Sequence, residues 1–159
     1  VDYLSPGLFT ANVSYVFGPV MRVLRDAGYE DGVNLDAAPY DWRLSPRALE
    51  ERDGYFTETM KTVQDMHERN GDAPVVLLCH SLGCRVGHYF LEFANAACPG
   101  WTDKYIHTYM PVGGPHLGAP KALRACITGD RMGLDAFLTA REALALGRSF
   151  GSGPWMMPA

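Results

Sequence analysis

The chain has 159 residues, of which 47% are hydrophobic and 20% charged, and its formal net charge at pH 7 is −4. This balance is typical of one globular domain, and the absence of a basic patch argues against a nucleic-acid partner. The longest uncharged apolar runs are much shorter than a membrane span. The four cysteines include no Cys-x-x-Cys pair, and no histidines lie at zinc-finger spacing, so we expect neither a metal nor a cofactor.

Apolar spacing along the chain predicts alternating helices and strands. In chain order these are a helix over residues 14–27, a strand over 33–38, a helix start at Ser45 and Pro46, a helix over 55–70, a strand from residue 75, a helix over 82–97, a strand over 105–112, helices over 120–127 and 135–146, and a loop over 149–158. Short apolar strands that alternate with helices predict a parallel sheet with helices on both faces.

The most informative stretch is Cys79-His80-Ser81-Leu82-Gly83, which lies between a predicted strand and a predicted helix. A strand, a tight turn with a central serine and a helix form a nucleophile elbow, whose usual pattern is G-x-S-x-G. Here Cys79 stands in place of the first glycine, and His80 is expected to point into the structure beneath the turn. The alternative is an ordinary strand-to-helix turn with a serine at the surface.

Three predicted loops follow strands and converge at one edge of the sheet, namely residues 39–43, 80–83 and 113–118. Sites in parallel sheets form at the carboxyl ends of the strands. The sequence therefore predicts an α/β class with a partial α/β-hydrolase fold, in which Ser81 is the nucleophile. The backbone N–H of Leu82, the residue after the nucleophile, is the expected oxyanion donor.

A serine nucleophile needs a histidine base that is oriented by a carboxylate, and in this fold both follow the serine in the chain. His88 falls on the helix after Ser81, His107 in mid-strand, and His116 directly after the next strand, which is too early for the base. The acid and base are therefore expected outside this chain. His116 is either a turn residue or part of the pocket lining.

Four strings occur in order along the chain: Ala38-Pro39-Tyr40-Asp41-Trp42-Arg43, the string from Cys79 to Cys84, Gly114-Pro115-His116-Leu117-Gly118, and Gly153-Pro154-Trp155-Met156-Met157-Pro158. In this order and spacing they resemble the lecithin:cholesterol acyltransferase family, which includes lysosomal phospholipase A2 and the phospholipid:diacylglycerol and phospholipid:sterol acyltransferases. The string from Ala38 to Arg43 is the most specific of the four. The resemblance extends over nearly the whole chain.

The resemblance implies a phospholipid acyl donor, a seryl acyl-enzyme at Ser81, and a sterol or diacylglycerol acceptor. It also implies that residues 1–159 are the central part of one hydrolase domain. The N-terminal oxyanion loop and lid, with any transient lipid-surface contact, then lie upstream, and the triad Asp and His lie downstream. The family alone suggests the secretory pathway, the endoplasmic reticulum, or the lysosome or vacuole as the location.

Two alternatives to the acyltransferase stay open at this point. One is a phospholipase or esterase in which water accepts the acyl group, and the other is a non-catalytic lipid-binding module. The piece of 159 residues is expected to be inactive alone. For Asp41 and Arg43 we favour a pair that braces the loop, whereas Trp42 is the residue of that loop expected to touch lipid.

Overall fold

The computed structural model of the protein describes residues 16–131, 133 and 135–158. Its elements in chain order are helix α1 (Gly18–Asp26), α2 (Pro46–Asp53), α3 (Tyr55–Arg69), strand β1 (Val75–His80), α4 (Leu82–Ala97), α5 (Trp101–Tyr105), β2 (Ile106–Val112), α6 (Pro120–Thr128), α7 (Ala140–Ser149) and α8 (Ser152–Trp155). None of the helices in these ranges has both the length and the apolar character needed to cross a membrane.

The two strands pair in parallel, with Leu77 opposite Tyr109 and His80 opposite Val112. Parallel pairing requires a crossover between the strands, and α4 and α5 form it. Helices around a small parallel sheet agree with a partial α/β fold, as predicted. The two described strands are fewer than the predicted three.

The predicted strand over residues 33–38 is wrong, because this segment holds only one isolated bridge, between Asp31 and Leu35. The Asn34 side chain accepts a hydrogen bond from the Glu30 N–H at 2.6 Å. The Glu30 carbonyl in turn accepts from the N–H groups of Val33, Asn34 and Leu35. These local bonds occupy backbone groups that a strand would pair with its neighbour, so a turn forms instead.

The apolar strands predict helices on both faces, but among the described residues the two faces of the sheet differ in burial. One face of the sheet packs on the helices. The other face has residues that are between 36% and 47% exposed: Val76, Leu78, Met110 and Val112. His80 belongs to this open face, where its ring meets the edge of Phe17 at 5.9 Å, and so does not point beneath the turn. The packed face is covered because α3 and α4 carry their apolar stripes to the same side.

The core lies between these helices and the packed face of the sheet. Its buried members come from α2, α3, α4 and α5: Leu49, Phe56, Val63, Val86, Phe90, Ala94, Trp101 and Tyr105. Burial of each large apolar side chain contributes about 1.5–3 kcal/mol. This layer holds the carboxyl ends of β1 and β2 in place.

Helix boundaries follow local capping chemistry. Ser45 caps α2 as predicted, because its side chain accepts from the Ala48 N–H, and Pro46 takes the first helical position. The helix predicted over 135–146 instead begins at Ala140, because Thr139 and Glu142 form a capping box there. The loop predicted over 149–158 contains the short helix α8.

Helix α4 approaches β1 closely at Gly87. A Cβ atom at this position would lie 2.6 Å from Cys79 Sγ and 3.3 Å from the Tyr109 ring. The side chain of Cys79 occupies space that is empty where the usual motif has glycine. Gly87 on the helix has no side chain, so it leaves room for the Cys79 sulfur. The departure from the motif is therefore accommodated by a small residue eight positions later.

We expect Gly87→Ala to lower the free energy of unfolding by about 1–3 kcal/mol through overpacking, although alanine is the better helix former. The measurement is urea unfolding of the full-length protein that carries this sequence. Gly83→Ala is the matched control on the same helix, since its Cβ would meet only the Tyr40 hydroxyl at 3.7 Å. Adding Cys79→Gly to Gly87→Ala should recover part of the loss. Equal stability of the two alanine variants would contradict this packing argument.

Candidate active site

The Ser81 turn, residues 80–83, has a strained backbone at its centre. Ser81 has φ 53° and ψ −126°, a positive-φ conformation outside the commonly allowed regions that costs a residue with a side chain about 1–3 kcal/mol. Its N–H donates to the Val112 carbonyl at 3.0 Å, which joins the turn to the end of β2. The Ser81 side chain is exposed and does not cap α4. A strained turn that presents an uncommitted hydroxyl is the geometry of a nucleophile elbow.

Leu82 is the first residue of α4, which runs for 16 residues. The first four N–H groups of a helix have no acceptor within it, and the helix dipole places partial positive charge at this end. The Leu82 N–H therefore lies where negative charge beside Ser81 would be stabilised. This is the position that the sequence predicts for an oxyanion donor.

The Trp42 loop, residues 39–43, reaches the Ser81 turn through Tyr40. The Tyr40 hydroxyl lies 3.7 Å from the place of a Cβ on Gly83. Burial raises the pKa of Tyr40 well above its ordinary value, so this hydroxyl is neutral at physiological pH. The loop is also held at its start, where the Tyr55 hydroxyl donates to the Ala38 carbonyl at 3.0 Å.

Asp41 braces the same loop, as the sequence suggests. Arg43 Nε and Nη2 each donate to its carboxylate at 2.8 Å, and Arg52 Nη1 adds a bond of 3.1 Å from α2. The side-chain hydrogen bonds from Arg43 are the main reason why the pKa of Asp41 lies well below its usual range. Trp42 between them is half-exposed and meets the Phe150 ring edge-on at 4.8 Å.

The His116 loop, residues 113–118, packs on the first turn of α4. A Cβ at Gly114 would lie 2.6 Å from Cys84 Cβ, so the two backbones approach closely. Arg85 Nη1 donates to the carbonyls of Pro115 and His116, both at 3.3 Å. All three predicted loops therefore meet at one edge of the sheet, although no strand leads into the first of them.

The histidines after Ser81 contact other groups. His88 pairs with Glu92 across one turn of α4 at 3.9 Å, and His107 Nδ1 lies 2.7 Å from Thr108 Oγ1. The His116 ring lies edge-on to His88, with 6.3 Å between the ring centres. In the described part of the chain, no group of three or more His, Cys, Asp or Glu side chains could hold a metal ion.

Two residues that support the Ser81 turn, Tyr109 and Arg85, are not among those predicted from the sequence. Tyr109 on β2 donates from its hydroxyl to the Cys84 carbonyl, and Arg85 holds the His116 loop. Arg85 lies in the first turn of α4, and side chains of helical residues lean toward the N-terminal end, where the Ser81 turn lies. The position of Arg85 after Ser81 could have indicated a role at the turn. The groups that its guanidinium binds, however, lie in a loop 30 residues further along the chain.

The buried thiols do not offer a second nucleophile. Burial raises the pKa of Cys79 to about 12 and also raises the pKa of Cys84. Since the thiolate is the reactive form, both side chains are unreactive at neutral pH. They serve as small apolar groups, and the Cys84 thiol donates weakly to the Cys79 carbonyl at 3.3 Å.

Comparison with known proteins bears on this site. The family model described as lecithin:cholesterol acyltransferase matches residues 1–159. A phospholipid–sterol O-acyltransferase of Arabidopsis thaliana is 36% identical over 163 residues, covering 99% of this chain and 25% of that protein. A phospholipid:diacylglycerol acyltransferase of Saccharomyces cerevisiae is 31% identical over 162 residues, covering 91% of this chain and 24% of the relative.

A lysosomal phospholipase A and acyltransferase of Mus musculus is 34% identical over 160 residues, covering 99% of this chain and 36% of its own length. The chain thus spans between about a quarter and about a third of these relatives. The names of these proteins refer to acyl transfer and to phospholipids, and one of them also names phospholipase A.

The Asp41 brace gives a prediction about pH. A carboxylate whose folded-state pKa is lowered stabilises the fold above its unfolded pKa, and this contribution is lost as the pH falls through the lowered value. We expect Asp41→Asn to lower the midpoint temperature of unfolding at pH 7. The difference in midpoint temperature between the variant and wild type should become smaller as the pH falls well below about 4. Thermal unfolding between about pH 7 and pH 2 measures both quantities.

The control for this comparison is Glu51→Gln, which removes an exposed pair with Arg47 on α2. Exposed pairs contribute little, so this variant should follow wild type closely. If the difference in midpoint temperature between Asp41→Asn and wild type stays constant down to the lowest pH, the charge of the Asp41 carboxylate does not stabilise the loop.

Proposed function

The chain belongs to the lecithin:cholesterol acyltransferase family, and we propose that the protein moves an acyl chain from a phospholipid to an acceptor through Ser81. The site residues that we assign are Ser81 as nucleophile and Leu82 as backbone oxyanion donor. Trp42 and His116 are assigned as substrate contacts. No cofactor or metal takes part in this scheme.

The reaction runs in two halves. The Ser81 hydroxyl gives up its proton to a base and attacks the ester carbonyl of the phospholipid, and the oxyanion accepts a hydrogen bond from the Leu82 N–H. Collapse of this intermediate forms the seryl ester and releases a lysophospholipid. An acceptor hydroxyl then attacks the acyl-enzyme, which frees Ser81 and gives the new ester.

The observation that carries the proposal is the backbone of Ser81 together with its exposed hydroxyl. A surface serine in an ordinary turn has no need of φ 53° and ψ −126°. Strain of this kind persists where the surrounding structure enforces it, and here β1, β2 and α4 all hold the turn. This supports a nucleophile over a surface serine, and it argues against the non-catalytic lipid-binding module.

The acceptor distinguishes the two enzymatic alternatives. A sterol or diacylglycerol hydroxyl makes the protein an acyltransferase, whereas water makes it a phospholipase with the same first half-reaction. The relatives' names include both activities. We favour acyl transfer, because it occurs in the names of all three relatives.

The first experiment offers labelled phosphatidylcholine to the full-length protein, with sterol and diacylglycerol supplied in turn. We expect Ser81→Ala to abolish lysophospholipid release, a loss of at least about a thousandfold, because the covalent step has no other nucleophile. Ser149→Ala on α7 is the control and should match wild type. Release that continues undiminished in Ser81→Ala would remove the nucleophile assignment, and free fatty acid as the sole product would favour the phospholipase.

A second experiment tests whether residues 1–159 suffice. Since the triad acid and base are assigned to segments after residue 159, the isolated piece should release no lysophospholipid above a blank. Mixing it with the rest of the protein, expressed separately, is the informative comparison. Turnover by the piece alone would show that one of its own histidines is the base.

A further inference from the structure

We propose that Arg85 is a positioning residue that fixes the His116 loop as one wall of the acyl-donor site, an inference that rests on the proposed function. Arg85 is the fourth residue of α4 and therefore belongs to the first turn of the helix, directly after the Ser81 turn. Side chains of helical residues lean toward the N-terminal end, which here is the Ser81 turn.

The guanidinium holds two parts of the chain at once. Its Nη1 donates to the carbonyls of Pro115 and His116, both at 3.3 Å. Its Cζ lies 5.1 Å from the centre of the Trp155 ring, within the range of a cation–π contact. One half-buried side chain therefore connects the nucleophile helix, the His116 loop and α8.

The same loop is anchored at both of its ends. Gly114 abuts Cys84, and a Cβ at Gly118 would collide with the Met157 carbonyl oxygen. The Ala119 N–H donates to the Met156 carbonyl at 2.8 Å. Between these anchors, the contact from Arg85 sets how the middle of the loop lies over the first turns of α4.

The exposed apolar residue of the His116 loop is Leu117. It follows the two clamped carbonyls directly, and its side chain is 82% exposed. An apolar side chain held at the edge of a serine site, on a loop fixed from the nucleophile helix, suits contact with a fatty acyl chain. The substrate feature that Arg85 controls is therefore the long acyl chain, whereas the ester carbonyl is handled by Ser81 and Leu82.

The test compares two substrates in the full-length protein: dioleoyl phosphatidylcholine in mixed micelles and the short-chain ester p-nitrophenyl butyrate. We expect Arg85→Met to lower kcat/KM for the phospholipid relative to that for the short ester by about tenfold, the size expected for loss of a charge-assisted hydrogen bond. Most of that change should lie in KM. Arg85→Lys keeps a cation beside Trp155 and one donor, so it should recover part of the ratio.

Arg47→Met is the matched control, since Arg47 is an exposed arginine whose partner is Glu51 on the same helix. Equal losses on both substrates in Arg85→Met, without recovery in Arg85→Lys, would mean that Arg85 only stabilises the fold and would overturn the inference. If Arg85→Met does not fold, the substrate ratio of Arg85→Lys decides: a shift supports the proposal and an unchanged ratio overturns it. Activity that survives in Ser81→Ala would instead reject the proposed function itself.

Discussion

The close approach of β1, α4 and the His116 loop around Ser81 is the constraint on which the rest of the described structure depends. Gly87 lets the helix come within contact of Cys79, and Gly114 lets the loop lie against Cys84. Side chains at either position would push these segments apart by collision with buried atoms. The strained backbone of Ser81 exists because all three segments are held at this distance.

Polar anchors then bring the loops to this centre. Tyr55 holds the Trp42 loop at Ala38, Arg52 holds it at Asp41, and Arg85 holds the His116 loop at two carbonyls. Each anchor is a side chain from a helix that donates to a group in a loop. These helices belong to the packed core. Their hydrogen bonds therefore fix the positions of loops that have no regular structure of their own.

Electrostatics at the site favour a single reactive group. Burial raises the pKa of Cys79 to about 12, and of Tyr109 likewise to about 12, so the polar atoms beneath the turn stay neutral. The charged groups of the Trp42 loop are paired with each other at its outer side. Ser81 lies at the N-terminus of α4, where the helix dipole places partial positive charge, and the two buried thiols of the described residues are not in their reactive form.

Local periodicity, caps and short motifs are enough to predict the start of α2, the helices α3 and α4, the two strands, the serine turn and the family. They fail at residues 33–38, where bonds around Glu30 outweigh strand propensity, and they do not indicate that the second face of the sheet is open. Two contacts could be found only in the folded chain: Gly87 accommodates Cys79, and Arg85 reaches the His116 loop. Both contacts join residues whose spatial proximity depends on how the elements pack, and no local pattern encodes that distance.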